Sequence, residues 1–138
     1  MRIWLSALAL ALALAPGLAA QEAVTPIRFA RGTSGAEVAG GVVRGERALY
    51  SLGARAGQTL TARITAAEGN AVFQIYAPGA VPRTQDAMLE VAGTTLPGAG
   101  EGEDARAWSG VLPATGDYLI VVGGTRGNAS YRLSVSVR

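Results

Sequence analysis

Two segments of the chain, residues 58–65 and 130–138, alternate between apolar and polar side chains. A period of two places successive side chains on opposite faces of a β-strand. Each segment is therefore predicted to form a strand with one buried face and one face in water. In the second segment the inward-facing side chains are predicted to be Tyr131, Leu133, Val135 and Val137.

The stretch Trp108–Val122 joins two apolar segments through a turn. Trp108–Leu112 is a short apolar segment, Pro113–Asp117 is rich in turn-forming residues, and Tyr118–Val122 has no polar face. An apolar run of this length between turn residues is typical of a strand that is covered on both sides. We therefore predict a hairpin here, around which the other strands are arranged.

The rest of the chain contains further short strand candidates separated by glycine-rich turns. No segment after the N-terminal region holds an apolar period of 3.6 residues over ten positions, which argues against helices. We predict an all-β fold, an antiparallel two-sheet β-sandwich that is jelly-roll-like and has about eight strands. Long loops are predicted at 77–86 and 93–105. The further strand candidates are Ile27–Phe29 at an edge, Ala36–Val43 with a Gly-Gly bulge or bend, Ala48–Leu52, Ala71–Tyr76 in a central position, and Ala87–Val91.

The N-terminal region has the pattern of a secretory signal peptide. Met1-Arg2 is followed by an apolar run over 3–15, then by Pro16-Gly17 and small residues at 18–20. The apolar run is too short for a membrane span of about 20 residues. We predict a signal peptide over 1–20, a mobile lead-in over 21–26 and a β-sandwich domain over 27–138. The mature protein is then periplasmic or secreted, with no membrane association after cleavage.

Composition excludes several classes of function. The chain has no Cys and no His, so it lacks the Ser-His-Asp and Cys-His nucleophile systems and the usual zinc ligands. After removal of the signal peptide, 11 Arg stand against 10 acidic residues, and there is no Lys. A nearly neutral protein has no general attraction to nucleic acid or anionic lipid. We predict a protein that acts by binding, without catalysis and without a required cofactor.

Charged residues in predicted loops are the candidate binding positions. Arg126 lies at a glycine-flanked hairpin tip, from which its side chain could reach into a cleft, and Arg83 lies in a long loop. Glu101, Glu103 and Asp104 are three carboxylates within four positions of a glycine-rich loop. They could bind Ca²⁺, which prefers oxygen ligands, or form a solvated acidic tip.

Three segments in order, Tyr50–Leu60, Trp108–Val122 and Ala129–Val137, resemble the β-sandwich of the bacterial pre-peptidase C-terminal type. The chain is more similar to a subgroup of small periplasmic inhibitors of g-type lysozyme. Members of that subgroup also open with a segment like Ile27–Ala36 here. The resemblance spans nearly all of the mature chain.

The resemblance implies a steric mechanism, in which a loop plugs the lysozyme cleft and sets an arginine against the catalytic carboxylate. The last hairpin of the family carries two arginines about four residues apart, and this chain keeps one of them, Arg126. Ser109-Gly110 matches half of an S-G-x-x-Y motif of related lysozyme inhibitors. The partner-binding residues are thus predicted to be Arg126, Arg83 and Ser109. The alternative is a generic envelope module that binds glycan, such as peptidoglycan, or another exported protein, with or without Ca²⁺.

Overall fold

The computed structural model describes residues 23–138, which form ten β-strands and no helix. The predicted signal peptide lies outside the described residues. In chain order the strands are β1 (Val24–Pro26), β2 (Gly35–Val42), β3 (Arg47–Ala54), β4 (Thr59–Ala66), β5 (Ala71–Tyr76), β6 (Val81–Gln85), β7 (Met88–Ala92), β8 (Ala107–Val111), β9 (Gly116–Gly124) and β10 (Ala129–Val137).

Eight of these strands form two four-stranded sheets. The front sheet has the order β1-β3-β9-β5, the back sheet has the order β2-β10-β4-β8, and β6 pairs with β7 in a separate two-stranded ribbon. All pairs are antiparallel except the parallel pair β1 and β3. The predicted two-sheet β-sandwich is confirmed, and its eight strands are supplemented by the ribbon.

The outer face of the back sheet is polar, and its inner face is apolar. β4 alternates between exposed Thr59, Thr61 and Arg63 and buried side chains that face the front sheet. β10 alternates in the same way, with Tyr131, Leu133, Val135 and Val137 buried. The period of two in the sequence therefore places both strands correctly.

The front sheet is covered on both faces. Tyr118, Ile120 and Val122 of β9 point into the space between the sheets and are fully buried. Leu119 and Val121 point the other way and are also buried, in a second apolar cluster with Leu49, Tyr76 and side chains of the ribbon. The two-sided burial predicted for Tyr118–Val122 is confirmed, and the ribbon supplies the second cover.

The predicted hairpin at Trp108–Val122 is wrong. β8 pairs with β4 in the back sheet, whereas β9 lies between β3 and β5 in the front sheet. The intervening turn carries the chain from one sheet to the other, and the Tyr118 hydroxyl closes it by donating to the Ala114 carbonyl and accepting the Ala114 N–H. β3 and β5 occupy both edges of β9, which leaves no edge for β8.

Two further predictions are wrong, the uninterrupted loop over 77–86 and the central position of Ala71–Tyr76. Residues 81–85, predicted as part of a loop, form β6, in which Pro82 lies on a two-stranded ribbon where a missing N–H is tolerated. β5 is an edge strand of its sheet, and the loop between β7 and β8 covers its free edge. Phe73 N–H donates to Ala105 C=O, and Ile75 N–H donates to Ala99 C=O.

The first strand of the front sheet begins earlier in the chain than the predicted strand Ile27–Phe29. Val24–Pro26, within the predicted lead-in, pairs with β3 instead. Ile27 contributes one more hydrogen bond, from its N–H to Ser51 C=O, and its side chain is buried. The apolar side chain of Ile27 therefore predicted burial correctly, but residues 27–29 do not form a strand.

Gly40 makes room for a hydrogen bond that joins the two sheets. Of the predicted Gly-Gly bulge or bend, the bulge is absent, since the β2–β10 pairing runs unbroken from Gly35 to Val42. The hydroxyls of Tyr50, on the front sheet, and Tyr131, on the back sheet, hydrogen-bond one another in the interior. A Cβ atom on Gly40 would lie 2.6 Å from Tyr131 Oη, so any larger residue would collide with this pair.

Stability is expected to fall as pH rises above about 10, the usual pKa of tyrosine. The pKa of Tyr131 is raised, first because burial disfavours the phenolate and then because the Tyr50 hydroxyl bonds to it. The unfolded chain therefore releases a proton that the folded chain retains, and this favours unfolding at high pH. Urea unfolding between pH 9 and pH 11.5 measures the effect. The Tyr131→Phe variant should show a shallower decline, and an equally steep decline would contradict this role for Tyr131.

Candidate functional site

Three connections between the sheets meet at one end of the sandwich, which we call the Arg126 end. They are residues 43–46 between β2 and β3, residues 67–70 between β4 and β5, and residues 125–128 between β9 and β10. Hydrogen bonds join the third connection to each of the other two. Loops far apart in sequence thus form one surface.

Asn70 is the buried polar residue of the described part of the chain, with 2% of its surface exposed. Its side-chain Nδ2 donates to the carbonyls of Arg126 and Asn128, each at 3.0 Å. Its own carbonyl accepts the Thr125 N–H at 2.9 Å. Asn70 therefore holds the backbone of the 125–128 loop at three positions.

Arg44 and Arg126 line the same shallow cleft, together with glycines of the two loops. The Arg44 backbone N–H donates to Asn128 Oδ1 at 2.8 Å, which ties the 43–46 turn to the 125–128 loop. Both arginine residues are exposed. The Arg126 end therefore presents two guanidinium groups from two different loops.

The Arg126 side chain is anchored but keeps most of its hydrogen-bonding capacity. Its Nη2 donates to the Glu68 carbonyl at 3.0 Å. A guanidinium has five N–H donors, so others remain for a carboxylate of a partner. The predicted hairpin tip is instead a crossing between the two sheets, yet Arg126 is exposed at it as expected.

A second cleft adjoins the Arg126 end on the outer face of the front sheet. It is lined by Arg47, by Glu101 and Asp104 of the loop before β8, and by Gly124 and Thr125. The nearby Tyr76 has a raised pKa, mainly because burial disfavours its phenolate; the Arg47 charge opposes this and the Glu101 charge adds to it. The cleft thus carries charges of both signs.

The structure does not bring together the three predicted partner-binding residues. Arg83 lies on the ribbon, opposite Glu90. Ser109 lies on the outer face of the back sheet, where its hydroxyl is 3.2 Å from that of Thr61. Arg126 alone lies at the end where the three loops meet.

The structure does not gather the three candidate carboxylates into one group. Glu101, Glu103 and Asp104 are exposed. Within residues 23–138, no group of three or more Asp, Glu, His or Cys side chains is placed to hold a metal ion. The same residues contain no helix with the length and hydropathy needed to cross a bilayer.

Sequence reasoning missed Asn70 and Arg44 as parts of the site. In the sequence, Glu68-Gly69-Asn70 is typical of a turn, and an asparagine in a turn is usually exposed. One signal was present, since Asn70 immediately precedes a strand that is apolar on both faces apart from Gln74. The proximity of Arg44 to Arg126 depends on which strands share a sheet, and turn residues alone do not reveal this.

Comparison with known proteins identifies similar structures. The chain matches no family model, and it matches no curated protein. It is similar to PliG of Aeromonas hydrophila, a periplasmic lysozyme inhibitor of g-type lysozyme, with a TM-score of 0.68 and 31% identity over 86% of this chain and 98% of that chain.

Two other inhibitors share the fold at lower identity. PliG of Salmonella Typhimurium has a TM-score of 0.58 and 19% identity, and it covers 83% of this chain and 97% of its own. A mutant of the Escherichia coli PliG has a TM-score of 0.55 at the same identity and coverage. Because its identity to the Aeromonas inhibitor reaches 31% over almost the full length of that protein, the chain belongs to the family of periplasmic inhibitors of g-type lysozyme, and it is a periplasmic protein and not an enzyme.

Proposed function

We propose that this protein inhibits g-type lysozyme by placing the Arg126 end of the sandwich in the substrate cleft of the enzyme. The observation that carries the proposal is the 31% identity to the Aeromonas inhibitor across 98% of that protein. The geometry supports this choice of contact surface, because the Arg126 end combines two exposed arginines with a shallow cleft between their loops.

The chemistry of the target explains why arginine suits this position. Glycoside hydrolases act through carboxyl groups that flank the scissile bond. A guanidinium can donate two parallel hydrogen bonds to one carboxylate, which neutralises its charge and fixes the orientation of the pair. Arg126 would thereby occupy the catalytic carboxylate while the surrounding loops exclude the glycan chain.

The hydrogen bonds within the Arg126 end favour tight binding. Ordering a mobile loop on association costs free energy, and a loop that is already ordered avoids that cost. The bonds from Asn70 to Arg126 and Asn128, and from Arg44 to Asn128, hold the loops before any partner arrives. The cleft with Arg47, Glu101 and Asp104 lies beside this surface and would form its charged rim.

Purified protein without its signal peptide is expected to slow the lysis of a bacterial suspension by g-type lysozyme. Turbidity is followed over time while the ratio of inhibitor to enzyme is raised, and a c-type lysozyme serves as the matched control. Slowing that saturates near equimolar ratio is expected with the g-type enzyme. Unchanged lysis at a several-fold molar excess would contradict the proposed function.

The wider kinship with pre-peptidase C-terminal sandwiches stays a prediction, and so does a role in binding glycan or another exported protein. Two binding experiments separate binding to the enzyme from binding to its substrate. If the protein acts on the enzyme, it co-elutes with g-type lysozyme in size-exclusion chromatography and stays in the supernatant of sedimented peptidoglycan. The opposite distribution would favour the glycan-binding alternative.

A further inference from the structure

We infer that Asn70 is the positioning residue of the inhibitory surface, which holds the Arg126 loop in its binding conformation without itself touching the lysozyme. This inference rests on the proposed function. It concerns a residue with 2% of its surface exposed, so that a direct contact with a large partner is excluded in this conformation.

The hydrogen-bonding capacity of Asn70 matches what the loop requires. The carbonyls of Arg126 and Asn128 both accept from Nδ2, which uses both N–H groups of the amide. The Thr125 N–H donates to the backbone carbonyl of Asn70 and extends the contact between β5 and β9 into the loop. If the amide were removed, two carbonyls that point into this buried position would each lose this donor.

No other residue of the same size supplies the same pair of donors. Aspartate has the same shape, but when ionised it has no N–H and would set its oxygens against two carbonyl oxygens. Leucine offers no polar contact, and glutamine is one methylene longer. Asn70→Asp is therefore a nearly isosteric change that reverses the polarity of the contact.

The effect of Asn70 extends to the second arginine through Asn128. Asn70 holds the backbone of Asn128, and the side-chain Oδ1 of Asn128 accepts the Arg44 N–H at 2.8 Å. Two amide side chains thus connect three loops and keep Arg44 and Arg126 at one cleft. Loosening Asn70 should release both arginines together.

The experiment compares wild type, Asn70→Asp, Arg126→Ala and the double variant by inhibition constant. Asn70→Asp is expected to weaken inhibition about tenfold or more, because the released loop must be ordered again on binding. In the double variant the loss should be clearly smaller than the product of the two single losses, since the loop no longer carries Arg126 and Asn70 then positions only Arg44. If Asn70 had a merely structural role, the fold losses of the two single variants would multiply in the double variant. That result would overturn the inference.

Amide hydrogen exchange by NMR gives a readout that does not depend on lysozyme. In Asn70→Asp, the amides of Thr125 and Arg44 should exchange faster, whereas amides in the centre of β9 should not change. Asn128→Ala is the second variant, in case Asn70→Asp does not fold. It removes only the bond to Arg44, so that the Arg44 amide should exchange faster, the Thr125 amide should not, and inhibition should weaken by a smaller factor.

The outcomes separate this inference from the proposed function. A wild-type protein that does not slow g-type lysozyme overturns the proposed function, and the role of Asn70 in inhibition falls with it, whatever the exchange data show. A wild-type inhibitor whose potency is unchanged in Asn70→Asp, or whose Thr125 and Arg44 amides exchange at wild-type rates in that variant, overturns the inference alone.

Discussion

Arg126→Ala is expected to weaken the binding of g-type lysozyme by about 2 kcal/mol or more, roughly a thirtyfold rise in the inhibition constant. Arginines at the centre of an interface are among the residues that dominate binding energy. Removal of the guanidinium would also leave a carboxylate of the enzyme desolvated without a partner, which adds to the loss. The inhibition constant follows from initial rates of lysis at several inhibitor concentrations.

The folded state should be little affected by this substitution. Arg126 is exposed, and its side chain makes one hydrogen bond, to the Glu68 carbonyl. Loss of one exposed hydrogen bond changes the free energy of unfolding by about 1 kcal/mol or less. A fall in potency with a nearly unchanged melting temperature would therefore report on the interface alone.

Two matched arginine variants test the location of the contact. Arg63→Ala removes an exposed arginine from the outer face of the back sheet and should leave potency unchanged. Arg83→Ala removes an arginine from the ribbon and tests whether Arg83 or Arg126 makes the lysozyme contact. If Arg126→Ala keeps full potency while Arg83→Ala loses it, the lysozyme contact moves to the ribbon and the mechanism through the Arg126 end is wrong.

The burial of individual strands could be predicted from the sequence, because it follows from local side-chain pattern. The alternation in β4 and β10 identifies which side chains face the interior, and the uniformly apolar Tyr118–Val122 indicates two covered faces. The element that covers the second face was not predicted. Pro82 argues against a strand in β6, and only its position in a two-stranded ribbon makes the proline compatible with pairing.

The pairing of strands could not be predicted from turn residues. Glycine and proline allow the chain to reverse, but the same turn can join neighbours within one sheet or strands in opposite sheets. In the C-terminal part of the chain β8 is in the back sheet, β9 is in the front sheet and β10 is in the back sheet again. Each of these turns was interpreted as a hairpin, and each is a crossing.

The candidate site was predictable only in part, for the same reason. Arg126 lies between glycine-rich positions in a short loop, so its exposure could be predicted from the local sequence. Asn70 and Arg44 belong to the site because their loops end at the same edge of the sandwich. That arrangement depends on which sheet each strand joins, and side-chain periodicity carries no information about it.

Val121→Asp is expected to lower the free energy of unfolding by about 3 kcal/mol or more, a large share of the roughly 5–15 kcal/mol of a typical domain. Val121 points away from the sandwich interior but is only 2% exposed, because the ribbon packs over it. A carboxylate there would be buried among Leu49, Leu119 and Tyr76. The exposed Arg47, which lines the adjoining cleft together with Val121, would offset only part of this cost. Urea unfolding followed by the fluorescence of Trp108 measures the change.

Val111→Asp is the matched control for this prediction. Val111 also lies on the outer face of a sheet, but its sheet has no covering layer there, and the residue is 67% exposed. A carboxylate at that position remains in water, so the free energy of unfolding should change by no more than about 0.5 kcal/mol. Equal effects of the two substitutions would mean that the ribbon does not cover the front sheet in solution. The contrast between them therefore tests whether the β6–β7 ribbon is an integral layer of the fold, and with it the reason why β9 has no polar face.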